Sequence, residues 1–194
     1  MLLARREILK AVTDRRIRFD PPVSENQIGE TSIDLRLGYT FVKIRPQRGI
    51  TISPSSGLSA LKGLFDTYEC PATDSFGRPS EFVMEPSEFI LGVTLEAVAL
   101  AKDIVGVVEG RSTYARLGMS MHQTAPWIQP GWEGQITLEF MNVGPLRLAL
   151  KPSIDRPCQL SFMTLSSELD GSEAYGAKTG DAYQAQTHPL PNAS

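Results

Sequence analysis

The chain has 194 residues and a formal charge of −3, from 19 Lys and Arg against 22 Asp and Glu, and 41% of its residues are hydrophobic. That composition supports a sizeable core in one domain and supplies no global positive field with which to grip a nucleic-acid backbone. No run of about 18 apolar residues offers a membrane span, and the opening Met1-Leu-Leu-Ala-Arg-Arg-Glu lacks a signal-peptide core, so a cytoplasmic protein without membrane or nucleic-acid partners is expected.

From Ala4 to Thr13, the residues Ile8, Leu9 and Val12 share one helical stripe among Arg5, Arg6, Glu7 and Lys10, which predicts an amphipathic helix. From Ser32 to Ile44 the period changes to two, with Ile33, Leu35, Leu37, Tyr39 and Phe41 on alternate positions of a half-buried strand. Thr51 to Gly77 carries Ser-Pro-Ser-Ser-Gly, a helical piece at Leu58 to Phe65, and then Cys-Pro-Ala-Thr-Asp, and reads as an excursion from the sheet. Strand-like runs follow at Phe82 to Met84, Glu88 to Leu100, Ile104 to Val108, Gln135 to Asn142, Leu146 to Leu150 and Gln159 to Leu165, each bounded by Gly, Pro, Asn or Ser. Many short strands with few helices predict a mainly β sandwich or barrel. From Ser166 onward the periodicity is lost, which leaves either an unstructured tail or one folded over another element.

Cys70 and Cys158 form no C-x-x-C pair, and His122 and His188 are the only histidines, so two buried thiols and two ordinary histidines are expected in place of a disulfide or a zinc site.

The chemistry concentrates in Glu109-Gly-Arg-Ser-Thr-Tyr-Ala-Arg-Leu-Gly118. Gly110 ends a β-branched run, Ser112 is suited to cap a short helix through Leu117, and Gly118 closes it. A helix start presents free N–H groups to phosphate oxygens, and Arg111 adds a forked cation. Ser112 and Arg116, at i and i+4, share a face. A surface turn with two solvated arginines accounts for this stretch equally well. On the strand Gly134 to Asn142, Ile136, Leu138 and Phe140 take one face and Gln135, Thr137, Glu139 and Met141 the other. Glu139 stands mid-strand in an apolar stretch, where an ionised carboxylate needs a partner such as Arg116, in a catalytic or a structural pair. Between the two lies a stiff loop, Met121 to Trp132, with two Trp, two Pro and a Gly, of the sort that walls a base pocket.

Gly110-Arg-Ser-Thr-Tyr-Ala-Arg-Leu-Gly118, Thr124-Ala125, Ile128 with Pro130-Gly-Trp-Glu-Gly134, and Ile136-Thr-Leu-Glu-Phe140 together resemble the dCTP deaminase branch of the dUTPase-like superfamily. Ser32-Ile-Asp-Leu-Arg-Leu-Gly38, Gly92-Val-Thr-Leu-Glu96 and Tyr183-Gln-Ala-Gln186 extend the likeness over almost the whole chain. The resemblance implies a distorted jelly-roll β domain over 1–165, N-terminal helix included, with the tail 166–194 closing over the site. It also implies a homotrimer with sites between subunits, and hydrolysis of dCTP to dUTP and ammonia without zinc. Mg²⁺ would ride on the triphosphate, and dTTP would act as a feedback inhibitor. Carried over residue by residue, Glu139 becomes the general acid/base, Ser112 positions the water, and Arg116 orients Glu139 and stabilises developing charge. Arg111 and the amides of Ser112 and Thr113 take phosphate oxygens, with Tyr114 and Ala115 completing that substrate-contacting turn. Thr137 and Leu138 line sugar and base, Ala125 leaves room beside the ring, and Tyr175 and Gln186 arrive from the tail. The zinc deaminases' H-x-E and P-C-x-x-C set is missing here.

Two positions depart from the family pattern. Gln129 stands where an Asp is usual, which replaces a sugar- or water-facing carboxylate by a neutral amide and argues against added triphosphate hydrolysis. Ala182 stands where a phosphate-binding Lys is usual, with Lys178 nearby to compensate. These departures raise a non-catalytic nucleotide sensor as an alternative, and a pyrophosphatase acting on dUTP or a modified deoxynucleotide is a third reading.

Overall fold

The computed structural model describes residues 1–57 and 63–190. It opens with α1 (Arg5–Thr13), followed in chain order by β1 (Ile17–Asp20), β2 (Ser32–Leu35), β3 (Leu37–Ile44), β4 (Phe65–Glu69), β5 (Phe82–Met84), β6 (Phe89–Leu100) and β7 (Ile104–Gly110). Then come α2 (Ser112–Arg116), β8 (Met119–Ser120), β9 (Trp127–Ile128), β10 (Glu133–Asn142), β11 (Leu148–Leu150) and β12 (Cys158–Thr164). One sheet runs β4-β3-β6-β10-β8, with β1 pairing the far end of β6, and a second runs β2-β12-β7-β9. β5 and β11 form a separate ribbon. The mainly β architecture expected from the alternating runs is therefore present.

The inward residues of both sheets make one core, in which Phe41, Phe140, Phe162, Ile17, Ile33, Leu37 and Leu138 are fully buried. β10 keeps the simplest pattern, with Ile136, Leu138 and Phe140 buried and Thr137, Glu139 and Met141 half-buried on the opposite face. This is the period of two that one buried sheet face imposes.

Three expectations need correction. On α1 the buried residues are Ile8 and Ala11, while Leu9 is 40% exposed. The Leu3 N–H donates to Phe162 O at 2.8 Å, so the chain enters the helix already fastened to β12, and that attachment helps set its roll. The run Ser32 to Ile44 is not one strand. It breaks at Arg36, whose backbone N–H and Nε both donate to Glu96, at 2.8 and 2.6 Å. Against β6 the register then slips between Leu37 and Phe41, so Gly38 is buried and Tyr39 turns half outward. Finally, the excursion Thr51 to Gly77 rejoins the sheet, because Phe65, expected to end a helix, begins β4 against β3. Of the rest of that expected helix, Gly63 and Leu64 are not helical, and 58–62 lies outside the described residues.

Candidate functional site

β10 forms one wall of a cavity of about 420 Å³ lined by Ala125, Ile128, Trp132, Ile136, Thr137 and Glu139, by Ile44, Phe65, Phe89 and Leu91, and by Tyr183, Gln186 and Pro189 of the tail. Residues 136, 137 and 139 all reach it because the β10–β6 register slips between Gln135 and Thr137. There the Ile136 N–H leaves the ladder and donates to Thr94 Oγ1 at 2.9 Å. A slip of this kind re-aims side chains locally. The wall is apolar apart from Glu139, Thr137, Tyr183 and Gln186, and Glu139 is its one carboxylate.

Glu139 is not paired with Arg116. Its Oε2 accepts the backbone N–H of Gln123 at 3.0 Å, so the partner of this half-buried carboxylate is a loop amide. The same loop is fastened from outside by His122, whose Nε2 lies 3.1 Å from Glu109 Oε2, and by Ser120 Oγ, which donates to His122 O at 3.2 Å.

The tail, for which two states stood open, lies over the cavity. Ala185 N–H donates to Glu133 O at 2.7 Å, Gln135 N–H to Gln186 O at 2.9 Å, and Gln184 Nε2 to Gly131 O at 3.2 Å. Gly131 (φ +87°) and Gly134 (φ +141°) permit this approach: a Cβ at Gly131 would stand 2.9 Å from Tyr175 O, and one at Gly134 would stand 2.9 Å from Gln186 N. Tyr175 packs its ring 5.4 Å from that of Trp132. Gln186, 2% exposed, donates through Nε2 to Gln135 O and Thr137 Oγ1, each at 2.9 Å. Its Oε1 is buried without a hydrogen-bond partner. A buried acceptor left unpaired is costly, so a donor on a bound molecule would gain by meeting it.

Apart from Leu138, the expected site residues thus fall into three groups. Ala125, Thr137, Glu139 and Gln186 share the cavity. Gln129, Tyr175 and Lys178 line a neighbouring concavity of about 290 Å³ with Glu173 and Asp181. The turn Arg111 to Arg116 lies outside both. In that turn Arg111, not Ser112, holds the N-cap position, and no side chain caps the helix. Ser112, Thr113, Ala115 and Arg116 are exposed. Arg111 is engaged within the chain, with Nη2 3.1 Å from Asp34 and Nη1 donating to Arg156 O at 3.0 Å. Burial raises the Asp34 carboxyl above its usual range, while the Arg111 and Arg156 guanidiniums act the other way. Tyr114 points inward: its Oη donates to Asp155 Oδ1 and accepts from Arg156 N–H, both at 3.0 Å, and burial first, then the Asp155 charge, push it up to about 12. Leu138, expected to line sugar and base, is fully buried in the core, because it lies on the opposite face from Thr137. Gln123, Tyr183 and the apolar wall of Ile44, Phe65, Phe89 and Leu91 were not among the expected site residues. Cys158 is buried with its thiol pushed far up by burial, and among the described residues no three His, Cys, Asp or Glu side chains converge on a metal position.

A family model described as dCTP deaminase-like matches residues 2–165. The dCTP deaminase of Rhodospirillum rubrum is 38% identical over 99% of this chain and 96% of its own length. The "dCTP deaminase, dUMP-forming" of Methanosphaera stadtmanae is 39% identical over 97% of this chain and 91% of its own. Among solved structures, the 2'-deoxycytidine 5'-triphosphate deaminase from Agrobacterium tumefaciens superposes with a TM-score of 0.63 at 19% identity, over 89% of this chain and 50% of that one, a likeness of fold.

Proposed function

Because this chain belongs to the dCTP deaminase-like family, we propose that it hydrolyses the 4-amino group of dCTP in the cytoplasm, giving dUTP and ammonia. The observation that carries this reading is the cavity itself, in which a single carboxylate faces a largely apolar, ring-sized space beside an unpaired buried amide oxygen.

In the proposed reaction the Glu139 carboxylate removes a proton from water as its oxygen adds to C4, and passes that proton to N3. The new C4 hydroxyl then gives its proton, again through Glu139, to the amine. The C4–N bond breaks, ammonia departs and C4 keeps a carbonyl oxygen. Gln186 Oε1 accepts from a donor of the nucleotide, and Trp132, Ile128 and Ile136 exclude water around the ring. Ser112 and Arg116 lie outside the wall of a single chain, and we assign them to the wall that a second copy contributes in a homotrimer. There the hydroxyl aims the water and the guanidinium offsets developing charge. Arg111 has two of its five N–H donors committed to Asp34 and Arg156, and those remaining, with the amides of Ser112 and Thr113, are assigned to phosphate oxygens. Mg²⁺ enters as part of the nucleotide, and dTTP, with a ring of the same size, competes for the cavity. The neutral Gln129 offers no carboxylate to activate a second water, so the product stays dUTP, in contrast to relatives named as dUMP-forming.

Incubation with Mg²⁺ and dCTP tests this directly. Ammonia and dUTP in equal amounts are expected, and Glu139→Gln should lower the rate by about 10²- to 10⁴-fold with the fold intact. Pyrophosphate release without ammonia, or a fully active Glu139→Gln, would overturn the assignment.

A further inference from the structure

Strand β8 pairs with β10 only at Ser120↔Met141 and Met119↔Asn142. Beyond that point Met121 to Gln123 runs on beside β10 as a loop, yet it takes up the polar groups of one residue there. Glu139 N–H donates to Met121 O at 3.0 Å, Glu139 O accepts from the Gln123 side-chain Nε2 at 3.1 Å, and Glu139 Oε2 accepts from the Gln123 backbone N–H at 3.0 Å. Gln123 thus touches Glu139 twice, once at the backbone and once at the carboxylate. The side-chain bond stands where a further ladder bond would come if β8 continued. It holds the loop at the one place from which its N–H reaches the carboxylate.

We propose that Gln123 is a positioning residue for Glu139, its side-chain amide locking the loop onto β10 so that its backbone N–H fixes one carboxylate oxygen and leaves the other free for the water. This rests on the deaminase reading given above. A carboxylate that must carry one proton from water to N3 and a second from the C4 hydroxyl to the departing amine depends on aim, because a misplacement of about 1 Å can cost on the order of 10²-fold in rate. Gln123 itself is exposed and is no part of the cavity wall, so its loss acts through Glu139 and leaves substrate binding alone.

Gln123→Met keeps the length of the side chain and removes the donor. It should lower kcat for dCTP by about 10- to 100-fold with KM unchanged within about twofold, and Gln123→Arg, which restores an N–H donor, should recover most of kcat. Unchanged kcat in Gln123→Met, or a loss that Gln123→Arg fails to repair, overturns the proposal. Amide hydrogen exchange supplies a readout independent of turnover. The amide at position 123 should exchange at least about tenfold faster in Glu139→Ala and in Gln123→Met than in the parent, and equal rates overturn the clamp. A parent protein that releases no ammonia from dCTP would remove the deaminase reading, while the exchange rates would still decide whether Gln123 holds Glu139.

Discussion

At the scale of single residues, Glu139 was legible because a carboxylate interrupting an alternating apolar strand is costly unless something holds it. What holds it was not legible. The partner is a backbone N–H, which has no residue-type signature, and the loop presenting it has no periodicity. The inward contacts of Arg111 and Tyr114 were hidden for a related reason, since they run to Asp34, Asp155 and Arg156, residues far from them in sequence. Tyr114 makes the point measurable. Its hydroxyl is held neutral in the folded chain, its pKa raised from the ordinary 10.0 to about 12, so the stability it adds is complete below pH 10 and is lost as pH rises through 12. Tyr114→Phe should lower unfolding free energy at neutral pH by about 1–3 kcal/mol, because the Arg156 N–H loses its acceptor, and should flatten the decline between pH 10 and 12. Urea titrations across that range check both.

At the scale of elements, strands that keep their burial alternation were readable, β10 among them despite its slip against β6, and strands that lose it were not. β10 and β12 keep their alternation over most of their length, and their sequences show it. In β3 the slip between Leu37 and Phe41 throws Tyr39 out of phase, and β4 lies in a stretch whose composition reads as loop. The break at Arg36 is held by a pair that periodicity could not reveal: Glu96 is completely buried, and it accepts from Arg36 and from Gln27 Nε2 at 2.9 Å. Removing one partner of a buried pair strands the other. Glu96→Ala should cost about 3–5 kcal/mol, toward the lower figure because the Arg36 side chain retains 24% exposure, and thermal unfolding would show it. A loss under about 1 kcal/mol would mean that Arg36 finds water instead.

At the scale of the whole molecule, the architecture followed from the count of short strands, whereas the grouping of site residues did not. One chain brings Ala125, Thr137, Glu139 and Gln186 to one cavity and leaves Ser112 and Arg116 outside it. Spacing along a sequence does not report which residues a single chain gathers around one cavity. The cavity wall itself draws on positions from Ile44 to Pro189, so it is complete only once Tyr183, Gln186 and Pro189 have docked. In refolding, the strand signal in circular dichroism should therefore return before turnover does, with turnover lagging until Tyr175 and Gln186 dock across Gly131 and Gly134. Stopped-flow dichroism beside an ammonia assay on the same sample would time the interval, and simultaneous recovery would show that docking of the last segment is not the final event.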